Sequence, residues 1–411
     1  MAIKIVEFHC VSPAAGAGAE QSLPLVYFDM IWLHSPPAET LYFYHTKYSE
    51  SYFLETIVPM LIKSLSIALK YYLPLASNII FPLTSATMPV ARYADGDSLP
   101  LTIATSDADF PKLTANHSKT THEFRQFVPQ MPTAVYSSDN IKFKAATIQV
   151  TLFPNEGICV GVTDHHAISD GASLFSFLRT WASIHQSNCA GEYSVLDPFY
   201  GRDSVQESDK LSAFVWEQVK TSGPSFTRTI SSPSHKVRST FILSDGEMKK
   251  LKNGMSTFVA ICAHIWSCLA TSAAAAGEVV QDDVQEYLTS PVDCRRRLNP
   301  PLPENYFGNC LVFLRARCSH GRLKGDGGFL AAADAIAAAV KEAGQGILEG
   351  FKRKPESFSE WKSRNRVIPI SGSPRLDPCA RITDGEERLS MNVCIQIMME
   401  RLIFAREETV E

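Results

Sequence analysis

A chain of 411 residues, 45% hydrophobic and 20% charged, is too long for one small core and too apolar to stay disordered. A net charge of −4 without any long basic run gives no reason to expect nucleic acid or an anionic membrane as partner. The ten cysteines, at positions 10, 159, 189, 262, 268, 294, 310, 318, 379 and 394, form no CxxC pair, which argues against a zinc ribbon, and several (Cys159, Cys262, Cys268) lie in apolar stretches, which reads as a reducing compartment. The N-terminus lacks the pattern of a secretory signal, and no segment approaches the ~18 uninterrupted apolar residues of a membrane span.

Along the chain, Ile57 to Tyr72 reads as a helix with Pro59 in its first turn and Leu61, Leu65, Ala68, Leu69 and Tyr72 on one face; Pro74 ends it. Thr147 to Phe153 alternates polar and apolar residues as a half-buried strand does. Pro154-Asn155-Glu156-Gly157 is a turn, and Ile158, Val160 and Val162 resume the alternation as a hairpin partner. That strand runs into Asp164-His165-His166-Ala167-Ile168-Ser169-Asp170-Gly171, and a helix follows with Leu174, Phe177, Leu178 and Trp181 on one face. The stretch from Gln186 to about Lys236 is polar and reads as a crossover between two halves, with one short helix near Leu211 to Val219. Beyond it come a helix over Ser256 to Leu269, a strand over Tyr287 to Val292, an Ala-rich helix over Phe329 to Val340 and the start of another at Ser357 to Lys362. Strands and helices alternate in both halves, which predicts α/β or α+β layers. The expected division is residues 1–190, a crossover at 191–236, and residues 237–411.

The His/Asp cluster sits at a strand-to-helix turn, where side chains are held yet reach solvent. An imidazole is the natural base for a hydroxyl near neutral pH. Asp170 is expected to shape the turn rather than to react, and Gly171 to mark an unusual backbone or a close approach. Two other readings stay open on spacing alone: a metal site of His165, His166 and Asp170, disfavoured because adjacent residues at a strand end point to opposite sides, and a plain hydrogen-bonded histidine. GxSxG, GxxxxGK[ST] and HExxH are all absent, which leaves direct transfer to a deprotonated acceptor without a covalent enzyme intermediate.

Further motifs occur in a fixed order around this turn. Tyr72-Leu73-Pro74-Leu75-Ala76 comes before it; Asp293-Cys294-Arg295-Arg296-Arg297-Leu298 with Pro300-Pro301-Leu302-Pro303, Asn305-Tyr306-Phe307-Gly308-Asn309-Cys310, and Ile370-Ser371-Gly372-Ser373-Pro374-Arg375 come after. Together with His165-His166-Ala167-Ile168-Ser169-Asp170-Gly171 they resemble the YxPLAG, HHxxxDG, DxRxRLxPPLP, YFGNC and SPR segments of the BAHD acyltransferases, in that family's order from about Ile5 to Asp377. The YFGNC box resembles the flavonoid and anthocyanin branch.

The resemblance implies two chloramphenicol-acetyltransferase-like domains, each a mixed sheet flanked by helices, with the active site in a tunnel at their interface. It implies His166 as general base, Asp170 paired with an arginine (Arg295 first, Arg297 second), and Tyr306, Phe307, Gly308 and Asn309 near the interface. It further implies an acyl-CoA co-substrate, malonyl-CoA or hydroxycinnamoyl-CoA, a phenolic glycoside acceptor, no permanently bound cofactor or metal, and a monomer. A malonyl carboxylate would need a cation, and Arg179 on the helix leaving the motif is the guess for it. The family's DFGWG motif does not occur after Asp377, and the tail from about Pro378 is atypical. The alternative expectation is therefore a relative that binds ligand or a partner without turnover.

Overall fold

A computed structural model of the chain describes residues 3–18, 20–84, 87–191, 193–221, 223–224, 237–344, 346–348, 350–351, 365–372 and 402–404. The segment Ser357–Lys362 and most of the tail after Gly372 lie outside the described residues.

The first half is built on a five-stranded mixed sheet in the order Ile3–Val11, Leu99–Ser106, Ala146–Phe153, Gly157–Asp164, Ala38–His45. Ala146–Phe153 runs parallel to Leu99–Ser106, and every other pair is antiparallel. The hairpin read from Thr147 to Val162 is present, with Phe153 opposite Gly157 and Ala146 opposite Asp164. Both strands are buried along their whole length rather than on one face. The polar residues face a second layer, formed by the short helices Phe110–Thr114 and Thr121–Phe127, and find backbone partners beside it or on the neighbouring strand. Gln149 donates to the Gln126 carbonyl at 3.0 Å, Thr163 to Pro129 at 2.7 Å and Thr147 to Pro100 at 3.2 Å. Alternation thus marked two kinds of interior, an apolar one and a hydrogen-bonded one.

The helix expected from Ile57 begins earlier, at Glu50, and carries a π-helical turn over Phe53–Ile57 before Val58–Tyr71. The widened turn lies just ahead of Pro59, whose missing N–H and ring conflict with an ordinary bond to the carbonyl four residues back. Among the described residues Glu50–Tyr71 is the one helix long and apolar enough in composition to cross a membrane, and Leu61, Leu65, Ala68 and Leu69 on it are buried against the protein's own core. A second, antiparallel sheet of five short strands, from Glu20–Pro24 to Val135–Tyr136, was not anticipated.

The second half holds a sheet in the order Leu311–Ser319, Gln285–Asp293, Arg366–Gly372, Leu402–Phe404. Helices Thr257–Ser272 and Gly328–Ala343 pack with it around Trp266, Leu288, Leu314 and Ile336. Ser256 caps the first of these helices by accepting from the Val259 N–H at 3.3 Å.

Much of the segment read as a crossover is structural. Helix Ser208–Val219 buries Leu211, Val215, Trp216 and Val219 in the first half's core. Phe199 pairs with the 305–307 strand-like stretch, donating to the Asn305 carbonyl at 2.9 Å and accepting from the Phe307 N–H at 3.0 Å. Cys294, Leu298, Leu302, Tyr306, Phe307 and Cys310 join that same core. The two halves therefore meet where residues 294–310 lie against the strand-to-helix turn.

Candidate active site

Strand Gly157–Asp164 ends at His165, whose N–H donates to the Ala145 carbonyl at 2.8 Å. The His165 ring is fully buried against Phe143, and its Nδ1 accepts from the Ala167 N–H at 3.2 Å. His166 turns the other way, toward the second half. Its imidazole lies flat on the indole of Trp32, with ring centroids 3.7 Å apart and planes 6° apart. Nδ1 is 3.2 Å from Oδ1 of Asn309. The two histidines point apart, and among the described residues no three His, Cys, Asp or Glu side chains stand close enough to hold a metal ion.

Asp170 is the N-cap of helix Gly171–Gln186 and accepts from the Ser173 N–H at 3.0 Å. Its carboxylate is also gripped by Arg295, at 2.8 Å and 3.0 Å, and by the Cys310 N–H at 3.2 Å. Arg295 is itself buried and reaches Asp293 and the carbonyls of Tyr306 and Gly308. Burial alone would raise the Asp170 carboxyl, but the Arg295 guanidinium and the backbone donors outweigh it and hold the group below the usual carboxylate range. Arg297 is exposed in the same short turn, and Arg296 faces Glu304 at the surface. Gly171 opens the helix in ordinary backbone and is exposed, contrary to the expectation for it.

The unusual backbone lies instead at Gly308, with φ +143°. A Cβ there would sit 2.6 Å from the guanidinium nitrogens of Arg202. Gly308 shares a two-way hydrogen bond with Ser173, giving its N–H to Oγ at 3.0 Å and taking the hydroxyl proton at its carbonyl at 3.0 Å. Arg202 donates to the Phe307 carbonyl at 2.6 Å and lies over the Tyr306 ring, 4.9 Å from its centre. Phe307 meets Tyr72 and Tyr200 edge-on, so the YxPLA segment and the YFGNC segment touch.

Three residues at the site escaped the sequence reading: Asp29, Trp32 and Arg202. Asp29 is completely buried, accepts from the Asn309 N–H at 2.9 Å and from its side-chain amide at 3.0 Å, and lies 3.5 Å from Arg202. Burial pushes its carboxyl above the usual range, while Arg202, Asn309 and Val26 act against that. A lone acid inside Leu25-Val26-Tyr27-Phe28-Asp29-Met30-Ile31-Trp32-Leu33 was the available signal, because an unpaired buried charge is costly. Arg179, by contrast, is exposed on the helix about two turns beyond Asp170.

A family model described as the Transferase family matches residues 1–326. Malonyl-coenzyme:anthocyanin 5-O-glucoside-6'''-O-malonyltransferase of Salvia splendens is 36% identical over 386 residues, 90% of this chain and 81% of that protein. The chain belongs to the BAHD acyltransferase family. Another BAHD relative, malonyl-coenzyme A:anthocyanin 3-O-glucoside-6''-O-malonyltransferase of Dahlia pinnata, is 37% identical over 401 residues, 91% of this chain and 85% of that protein. The crystal structure of vinorine synthase superposes with a TM-score of 0.63 at 17% identity, over 93% of this chain and 87% of that one. That likeness carries the fold, the mixed α/β architecture of two chloramphenicol-acetyltransferase-like domains expected for BAHD proteins.

Proposed function

We propose that this BAHD protein moves a malonyl or hydroxycinnamoyl group from coenzyme A to a sugar hydroxyl of a phenolic or anthocyanin glycoside, with His166 as general base. The observation that carries the reading is the placement of the His166 ring. It is fixed by Trp32 and Asn309 where the two halves meet, while Asp170 is occupied by Arg295 and does not compete for the same proton. In this scheme Nε2 takes the proton of the acceptor hydroxyl and the oxygen attacks the thioester carbonyl carbon. The tetrahedral adduct collapses to the ester, and the departing coenzyme A thiolate takes the proton back from the imidazolium. No acyl-enzyme forms. Donor and acceptor would enter a tunnel between residues 1–190 and 237–411 from opposite faces, in a monomeric, cytoplasmic protein with no bound metal. The malonyl donor is favoured because both relatives named above transfer that group.

The test is release of free thiol from malonyl-CoA and from coumaroyl-CoA against a panel of phenolic and anthocyanin glucosides. Turnover with a glucoside and none with its aglycone is the expected result. Arg179 is the cation proposed for the malonyl carboxylate, so Arg179→Ala should raise the KM for malonyl-CoA and leave that for coumaroyl-CoA alone. The competing reading, ligand binding without turnover, is motivated by the lack of DFGWG. It predicts a calorimetric signal for coenzyme A and no thiol release with any acceptor.

A further inference from the structure

The base needs more than a place; it needs its proton on the correct nitrogen. Neutral imidazole has two tautomers, and only the one protonated at Nδ1 leaves Nε2 with a lone pair to accept a proton. Asn309 faces Nδ1 of His166 with one end of its amide. The other end faces two acceptors, Oδ1 of Asp29 at 3.0 Å and the backbone carbonyl of His166 at 2.8 Å. A carbonyl can only accept, so the amide must present its NH2 group there and its oxygen to Nδ1. An amide oxygen accepts, so Nδ1 must be the nitrogen that donates.

Asp29 strengthens this orientation. Its Oδ1 takes both the backbone N–H and the amide of Asn309, and its Oδ2 takes the Val26 N–H at 3.1 Å and faces Arg202 Nε at 3.5 Å. Three of these neighbours are donors and the fourth is a cation whose Nε–H goes to the Pro24 carbonyl at 3.3 Å, so Oδ1, with two N–H groups on it, can only accept from Asn309. Asp29 is in turn fixed by the short helix Tyr27–Met30, whose next turn delivers Trp32 to the other side of the same imidazole.

We infer that Asp29 is a positioning residue, which sets the Nδ1–H tautomer of His166 through the amide of Asn309. The inference rests on His166 being the base, and it adds a second buried aspartate to the site beside Asp170. The experiment is 15N spectroscopy of histidine-labelled protein, with the His166 ring assigned by its loss in His166→Gln, alongside steady-state kinetics of Asp29→Asn. The wild type is expected to show a protonated-type shift at Nδ1 and a lone-pair-type shift at Nε2. In Asp29→Asn the side chain at 29 can offer an NH2, only the His166 carbonyl still opposes reversal of the Asn309 amide, and the ring should move in part to Nε2–H. The kcat should fall about 10- to 100-fold for a partial change of tautomer, short of the ~10⁴-fold loss of an imidazole held wholly in the wrong one, with the KM for acyl-CoA within about twofold.

Wild-type protein with its proton on Nε2 overturns the inference, whether or not the variant folds. So does a variant that keeps the Nδ1–H signature, and so does one whose tautomer changes with kcat intact. If the wild type shows Nδ1–H but turns over no glycoside, the functional reading fails and the tautomer assignment does not.

Discussion

The turn that carries His166 has a buried aspartate at each end, and the two are held in opposite ways. Asp170, on the helix side, meets Arg295, the Ser173 N–H and the Cys310 N–H, and its carboxyl lies below the usual range. Asp164, on the strand side, accepts from the Ser169 hydroxyl at 3.3 Å, and its other oxygen is buried without a hydrogen-bond partner. Burial pushes its carboxyl up to about 7, against the Ser169 hydroxyl and the residue's own N–H. Sequence position and burial are nearly alike, so the partner decides the charge state. The end of the turn that touches the other half is the charged one. Asp170 and Arg295 therefore bind the halves together, whereas Asp164 is a local feature of the first half.

The comparison breaks most visibly at Asp170. Asp170→Ala removes a helix cap and leaves Arg295 buried without its main counter-charge, which should cost about 3–5 kcal/mol in denaturant unfolding. Gly308→Ala tests the neighbouring contact between the halves. With φ at +143° and a new Cβ 2.6 Å from Arg202, a loss of roughly 1–3 kcal/mol is expected, with activity falling further because Asn309 is next in the chain.

Asp164 should respond with the opposite sign. Unfolded, it loses its proton near the ordinary carboxylate value; folded, it keeps the proton up to about 7. The folded state thus binds more protons across that window, and this group's contribution makes stability fall as pH rises through it. Asp164→Asn should gain on the wild type from about pH 4 to pH 7, by at most on the order of 4 kcal/mol, in unfolding curves taken at several pH values. Asp170→Asn should do the reverse, losing least at low pH, because the stabilisation from a depressed carboxyl disappears as pH falls through its folded value. The smallest effect belongs to Arg297→Ala. The side chain is exposed one turn residue from Arg296, and its loss should change stability by within about 0.5 kcal/mol, which would sharpen the separation from Arg295.

Local grammar made the strand, turn and helix around His166 legible, because alternation, a turn cluster and a 3.6-residue period each report on a few neighbours. The relation of Asp170 to Arg295, 125 positions apart, came from motif resemblance, and the geometry of the chain brings the two together. What stayed hidden was of two kinds. Asp29 and Asn309 are 280 positions apart, and no local pattern links an acid in an apolar run to an amide in a distant loop. The buried polar face of strand Ala146–Phe153 reads as a solvent face until the Thr121–Phe127 segment is seen to cover it. Gly171 and Gly308 show the same limit: glycine marks freedom of backbone, and only the fold shows which one uses it.

The account stands on the imidazole of His166 removing the acceptor's proton. The most direct measurement is kcat/KM of purified His166→Ala for malonyl-CoA with a glucoside that the wild type acylates, with circular dichroism and melting recorded on the same sample. A fall of about 10²–10⁴-fold or more with folding unchanged is the predicted result. Turnover within a fewfold of wild type by a folded His166→Ala protein would contradict it.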